Sequence, residues 1–236
     1  MGVRRGRHGG VLITFEGVEG GGKTTQLSRL AKLLREAGHR VVETREPGGT
    51  PAAERIREIL LTDPTARQVV EPISPTCEAF LIMACRSQHV AQVIQPALRD
   101  DAIILCDRFS DSTLAYQGYG RGLDLNWLRK MDRAATQGII PDLTLLMDLP
   151  VSSGLARRRR FEAHQNRLDQ ESQQFHERVR RGFRALARRH PRRIKIVDAQ
   201  QDPDRVAMKI ADIVEKFLSR PRKPMSSRRG RNIRKV

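Results

Sequence analysis

A chain of 236 residues with 39% hydrophobic side chains is long enough for one α/β domain with a sizeable core, and its formal net charge is +17. No apolar run approaches the ~20 residues that a membrane-spanning helix needs. The basic start "MGVRRGRHGG" leads only into "VLITF", shorter than the ~7–15-residue core of a secretory signal, and position 6, where myristoylation wants Ser or Thr, is Gly6. The charge excludes less than it suggests. Arg4, Arg5, Arg7 and the eight basic residues after Ser219 account for eleven of the 44 Lys and Arg, and the remaining 33 face 27 acids, so the body is only +6.

In chain order, residues 1–10 read as a basic extension, 11–218 as one domain, and 219–236, "SRPRKPMSSRRGRNIRKV", as a basic disordered tail whose composition supports no packed core. A solvated tail is the reading adopted, with RNA or DNA contact as its alternative. Five apolar runs, 11–15, 40–44, 102–106, 143–147 and 194–198, suit strands of a parallel sheet buried on both faces. Helices are expected between them: from Lys23 to a left-handed stop at Gly38, Pro51–Leu61, Thr76–Leu98, Asp124–Gly138, Glu171–His190 and Pro203–Leu218. This alternation predicts a three-layer, doubly wound α/β domain. Cys77, Cys85 and Cys106 are expected as buried thiols of a reducing compartment, which points to the cytoplasm.

The first strand runs into "GVEGGGKTT", the pattern Gly17-x4-Gly22-Lys23-Thr24 of a phosphate-binding loop. Gly17, Val18, Glu19, Gly20, Gly21, Gly22, Lys23, Thr24 and Thr25 form the segment whose backbone N–H groups would close around a nucleotide's β-phosphate at a helix N-terminus. Lys23 would neutralise phosphate oxygens, and the Thr24 hydroxyl would face Mg²⁺. The metal also needs a carboxylate at a neighbouring strand end. Asp107 and Asp148 both qualify; Asp107 is preferred because Arg108 follows it at once, whereas Leu149-Pro150 turns the chain away after Asp148. Arg45, Arg86 and Arg108 beside a phosphate loop suggest a second anionic ligand, since arginine binds phosphate through two parallel hydrogen bonds. No N-K-x-D guanine-reading motif occurs, which argues against a GTPase.

The segments "FEGVEGGGKTT", "TREPGGTP", "RSQHV", "CDRFSDSTLAYQGYGRGL" and "NRLDQESQQFHERV", in that order, resemble the signature segments of bacterial thymidylate kinases from about Val11 to Leu218. The resemblance implies Mg·ATP-dependent phosphorylation of dTMP to dTDP, a five-stranded parallel sheet of order 2-3-1-4-5, a lid at about 155–170, and usually a homodimer. It also implies roles. Glu19 matches the carboxylate that meets the sugar 3′-hydroxyl, Arg45 and Arg108 the arginines on the dTMP phosphate, and Arg86 the arginine on the thymine edge. Thr113, Tyr116 and Gln117 match the loop that lines the nucleoside pocket. Position 20, which in part of the family carries an arginine, is Gly20, so the arginine on the transferring phosphoryl group is expected from the lid, where Arg157 and Arg160 are the preferred members of "ARRRRF" and Arg167 the reserve. Three positions depart from the family pattern: Ile82 stands for a base-stacking Phe, Cys85 for a common Asp, and Asn166 for the Asp of the lid. Two other readings remain: a nucleoside-monophosphate kinase of shifted base preference, and a basic nucleic-acid-binding protein with a vestigial nucleotide fold.

Overall fold

The structure is a computed structural model that describes residues 9–61, 72–161 and 167–219. Both basic ends beyond Gly9 and Ser219, and Asn166 of the lid, lie outside the described residues.

Five strands, β1 (Val11–Glu16), β2 (Val41–Arg45), β3 (Ile103–Asp107), β4 (Leu143–Asp148) and β5 (Ile194–Asp198), form one parallel sheet in the order β2-β3-β1-β4-β5. β1 occupies the middle, and all six of its residues are buried. The expectation of strands buried on both faces holds for β1, β3 and β4 but not for β2 and β5. Those two are edge strands, covered by a neighbour on one side only. Alternation sorts the central strands' side chains. Ile13, Phe15, Leu105 and Leu145 join a cluster with Leu27 and Leu30, Val179 and Phe183, and Ile210 and Val214. Leu12, Ile104 and Cys106 point the other way, against Val90, Ile94 and Leu98.

Helix α1 (Lys23–Glu36) follows β1 and ends with Gly38 at φ 85°, where the N–H of His39 reaches the Leu34 carbonyl at 3.0 Å. That is the left-handed stop the glycine implies. α2 (Pro51–Leu61) comes next. The long helix expected at 76–98 is two helices joined by a wider turn: α3 (Pro75–His89), a π turn over Val90–Ile94, and α4 (Gln95–Arg99). Pro96 has no N–H to offer the Gln92 carbonyl, and the ladder widens just ahead of it. After β3 the chain forms α5 (Ser110–Thr113), which continues through a π segment, Leu114–Gly120. Thr113, Tyr116 and Gln117 therefore stand on a helix and not in a loop. The apolar and aromatic side chains of that stretch pack inward, with the Tyr116 ring edge-on to Phe175 and Phe183.

The remaining helices are α6 (Leu125–Ala135), α7 (Val151–Phe161), α8 (Gln173–Arg189) and α9 (Pro203–Leu218). Asp124, Ser172 and Asp202 cap α6, α8 and α9 through side-chain oxygens that accept from the N–H groups of Trp127, Phe175 and Asp204. The arginine-rich run of the lid belongs to α7. Cys85 and Cys106 are buried as expected, whereas Cys77 is exposed, because it sits in the first turn of α3 on its outer side.

Glu16, the last residue of β1, ties the centre of the sheet to the chain that leaves β3. Its carboxylate accepts from the N–H groups of Phe109 (2.8 Å) and Ser112 (3.3 Å) and from the Ser112 hydroxyl (2.5 Å). Burial, with Asp111 nearby, pushes its pKa up from the ordinary carboxylate range. Glu16→Ala should therefore strand these buried donors and lower the unfolding free energy in urea by about 3 kcal/mol, while Glu16→Gln, whose amide oxygen still accepts, should lose much less. Equal losses for the two variants would show that packing, and not the hydrogen bonds, carries the effect.

Candidate active site

Parallel strands align their C-terminal ends, and here the register sets Asp107 opposite Phe15 on one side and opposite Arg45 on the other. The loop from Gly17 to Gly22 rises at that edge and enters α1 at Lys23. Gly17, Gly20 and Gly22 have φ of 134°, 69° and 73°, conformations that side-chain-bearing residues rarely adopt. Gly20 is constrained twice: a Cβ there would lie 2.1 Å from the Gly154 carbonyl oxygen, and a Cβ on Gly154 would lie 2.4 Å from the Glu19 carbonyl oxygen. The first turn of α7 thus rests directly on the phosphate loop. A side chain at position 20 has no room.

Lys23 is buried, and its ammonium donates to the Val18 carbonyl at 2.9 Å. Burial, reinforced by Arg108, pushes its pKa down to about 8, against the pull of Asp107, Glu19 and Glu16. Thr24 donates from Oγ1 to Asp107 Oδ2 at 2.6 Å, while Asp107 Oδ1 is buried without a hydrogen-bond partner. Asp148 is held through both oxygens by Arg180, at 2.8 and 3.0 Å. A hydroxyl beside a carboxylate with an unpartnered oxygen is a donor set for Mg²⁺, which prefers oxygen and is bound through one or two carboxylates plus substrate phosphates. Among the described residues no three His, Cys, Asp or Glu side chains form a cation cage.

Arg108 has a left-handed backbone, φ 68°, and its N–H donates to the Phe15 carbonyl at 2.9 Å. Its guanidinium bends back over the loop, donating from Nη1 to the Gly17 carbonyl (2.9 Å) and from Nη2 to Glu19 Oε1 (3.1 Å), and lies 5.0 Å from the Tyr116 ring centre. Tyr116 donates its hydroxyl to the same Glu19 oxygen at 2.5 Å. Burial opposes ionisation of Glu19, but His176, Arg108 and Lys23 outweigh it and hold the carboxyl well below the ordinary range.

Arg86 is only 2% exposed. It donates from Nε to Glu46 (2.8 Å) and from Nη1 to Thr113 (2.8 Å) and Asp132 (2.7 Å), and its charge lies 5.2 Å from the Phe109 ring centre. Glu46 in turn meets His89 Nδ1 at 2.9 Å, and His89 Nε2 meets the Thr44 hydroxyl at 2.7 Å. Neither Glu46 nor His89 was singled out from the sequence; "REP" and "RSQHV" carry them, but only the fold pairs them. Cys85 takes the Gly48 N–H on its sulfur at 3.1 Å and faces the Ala53 carbonyl at 3.4 Å. Arg45 is exposed and paired with Glu54 at 2.9 Å. Ile82 is half-buried on α3, whereas Phe80 is 55% exposed and meets Trp127 edge-on at 5.8 Å. Gln117 donates to Glu78 at 2.8 Å.

The lid arginines are less gathered. Arg157 donates to the Ala199 and Gln200 carbonyls, at 2.7 and 3.4 Å, on the connection between β5 and α9. Arg158 grips Asp169. Arg159 and Arg160 are exposed. Arg167 is tied to Glu78 and to the Leu60 carbonyl, on the α2–α3 side of the site. This conformation brings Lys23, Thr24, Asp107, Arg108, Glu19 and Tyr116 together and leaves Arg157 and Arg167 on other contacts.

A central phosphate loop beside a hydroxyl–carboxylate pair, with Arg108 at the same sheet edge and Arg86 buried nearby, defines a P-loop kinase that transfers a phosphoryl group from a nucleoside triphosphate to a small anionic acceptor. Comparison with known proteins narrows the class. A family model described as thymidylate kinase matches residues 15–210. The thymidylate kinases of Thermomicrobium roseum and Geobacter sulfurreducens are 52% and 50% identical to the chain, covering 90% and 87% of it and 98% and 96% of themselves. A crystal structure of thymidylate kinase from Ehrlichia chaffeensis superposes with a TM-score of 0.69 at 30% identity, covering 87% of this chain and 98% of its own. The chain belongs to the thymidylate kinase family. It is an ATP:dTMP phosphotransferase that uses Mg²⁺ and gives dTDP and ADP.

Gly20→Ala should weaken Mg·ATP binding at least about tenfold by calorimetry, since the left-handed backbone alone costs ~1–2 kcal/mol for an L side chain, before the clash with Gly154 is counted. Binding within about twofold of the unaltered protein would show that α7 gives way freely.

Proposed function

We propose that the residues gathered at the β1–β3 edge divide the reaction as follows. The backbone of Gly17–Thr25, with Lys23, holds the triphosphate; Thr24 and Asp107 hold Mg²⁺; Arg45 and Arg108 hold the dTMP phosphate; and Arg86, Ile82, Thr113, Tyr116, Gln117 and Glu19 shape the nucleoside site. The observation that carries this division is the 2.6 Å contact between Thr24 and Asp107, with Arg108 the next residue in the chain. One turn of backbone sends a metal-side carboxylate and a phosphate-side guanidinium to the two sides of the same loop.

The acceptor is a phosphate monoester with a second pKa of ≈ 6, so it is a dianion at neutral pH and needs no protein base. One of its oxygens attacks the γ-phosphorus as the bond to the β–γ bridging oxygen breaks, and ADP leaves. The barrier is electrostatic, because several negative oxygens must be brought together. Mg²⁺, held by Thr24 and Asp107, would supply positive charge to the phosphoryl oxygens. Lys23 and Arg108 neutralise the remainder from fixed positions. Arg157 and Arg160 serve as the lid arginines for the transferring group, Arg157 leaving the Ala199 and Gln200 carbonyls to do so. α7 excludes water, which would otherwise compete as acceptor.

A second copy of the chain is the expected partner, as a homodimer, and the cytoplasm the expected location. No helix among the described residues is long and apolar enough to cross a membrane.

ADP release across dTMP, dUMP, dCMP, dGMP and dAMP tests the assignment. dTMP should be turned over best, and Lys23→Ala should retain below about a hundredth of that rate with its fold intact. A Lys23→Ala protein with a tenth of the activity would move the catalytic charge elsewhere. Ile82→Phe should lower the KM for dTMP severalfold with kcat nearly unchanged, since base–aromatic stacking is worth ~1–3 kcal/mol and Ile has no π face. An unchanged or higher KM would show that the pocket is shaped around Ile82.

A further inference from the structure

One buried polar group next to the phosphate loop has no part in the roles above. His176 lies in the first turns of α8, is fully buried, and packs edge-on against the Phe175 ring at 5.5 Å. Its Nδ1 stands 3.2 Å from Oε2 of Glu19, 157 residues earlier in the chain. The ring N–H is not aligned on that oxygen, so Nδ1, Nε2 and Glu19 Oε2 are all buried without a hydrogen-bond partner.

Orphaned buried polar atoms are costly, and here one carboxylate oxygen and both nitrogens of one imidazole lie together. The two oxygens of Glu19 are in different surroundings. Oε1 takes the Tyr116 hydroxyl and the Arg108 guanidinium, while Oε2 faces away from both, toward His176. A small rotation of the imidazole turns this contact into a hydrogen bond. The neutral tautomer with its proton on Nδ1 serves best: a charged ring would strand an N–H at Nε2, whereas the neutral ring strands only a lone pair.

We propose that His176 is the positioning residue of Glu19, donating from Nδ1 to the hidden Oε2 and so fixing the rotation that presents Oε1 to the sugar 3′-hydroxyl of the nucleotide. The proposal rests on the reading of Glu19 as the partner of that hydroxyl. His176 never touches substrate. It acts by removing the freedom of the Glu19 carboxylate to turn about its last torsion, which is broad in the absence of a partner. The segment "QQFHERV" thereby acquires a function for its histidine, the residue through which α8 meets Glu19 of the phosphate loop.

The test compares dTMP with its analogue lacking the 3′-hydroxyl, 2′,3′-dideoxythymidine 5′-monophosphate, in the full-length enzyme. His176→Phe keeps an aromatic ring and loses the donor. It should raise the KM for dTMP about tenfold, the value of one hydrogen bond to a charged group, and leave the KM for the dideoxy analogue and kcat with either nucleotide nearly unchanged. His176→Gln, which can still donate, should restore most of the dTMP KM. Glu19→Gln separates the two readings. If it discriminates between the two nucleotides and His176→Phe does not, the positioning role falls while Glu19 keeps its own. If Glu19→Gln fails to discriminate, both fall. Equal KM increases for both nucleotides in His176→Phe would mean general damage to the site and would also overturn the proposal. The unaltered protein gives a check that needs no variant to fold: ¹⁵N–¹H correlation spectra should show His176 with its proton on Nδ1, and an Nε2–H tautomer would reject the hydrogen bond.

Discussion

The hydrogen bond from the Arg108 N–H to the Phe15 carbonyl is the contact on which the site depends. It carries the β1–β3 ladder one residue past the end of β3, in a left-handed conformation that costs of order 1–3 kcal/mol for a residue with a side chain. Were the strand simply to continue, consecutive residues would point to opposite faces of the sheet, and Asp107 and Arg108 could not serve one ligand pair. The left-handed turn solves this. Asp107 stays toward Thr24, and the Arg108 guanidinium doubles back over Gly17 and Glu19. Glu16 stabilises the turn from below by accepting from Phe109, the next residue, and from Ser112 in the helix that follows.

Around this turn the protein has buried more charge than stability alone would favour. Arg86 with Glu46 is an ion pair taken almost wholly out of water, Arg86 with Asp132 and Arg108 with Glu19 are largely so, and such pairs seldom repay their desolvation. What they provide is orientation. Arg86 is fixed at Nε and Nη1 by three partners on three different elements, so its direction is set before any nucleotide arrives. The same logic extends outward through His89 to Thr44 at the end of β2. A site meant to stabilise developing negative charge gains most when its cations do not have to reorganise as the reaction proceeds.

The lid works under a different constraint. Gly20 and Gly154 approach so closely that neither can carry a side chain, and this lets α7 start on the phosphate loop itself. The arginines of α7 then lie one to two turns away from the contact. Arg158 is committed to Asp169, while Arg157 rests on backbone carbonyls, which are neutral acceptors that an anion can outcompete.

Much of this was legible in the chain itself, because the relevant signals are local. The strand–glycine–Lys23–Thr24–helix pattern, the five apolar runs, the helix caps at Asp124 and Asp202, and the stop at Gly38 all follow from what a few adjacent residues allow their own backbone to do. Asp107 differs from Asp148 in the residue that follows it, and in the fold it is Asp107 that meets Thr24. Other features depend on partners far along the sequence and could not be read there. The edge positions of β2 and β5, and so their exposure, are set by strand order. The helix at Ser110–Gly120 was missed because its aromatic and small residues carry no clear period, and it is packing against α8 that makes it helical. Arg157, Arg158 and Arg167 are indistinguishable as letters, yet they bind Ala199, Asp169 and Glu78, and only the folded chain gives each one its neighbour. The sequence determined which chemistry the chain carries, since that is written in residue types at short spacing; the tertiary structure decided where each charge points, since a side chain takes its direction from groups that folding alone brings within hydrogen-bond reach.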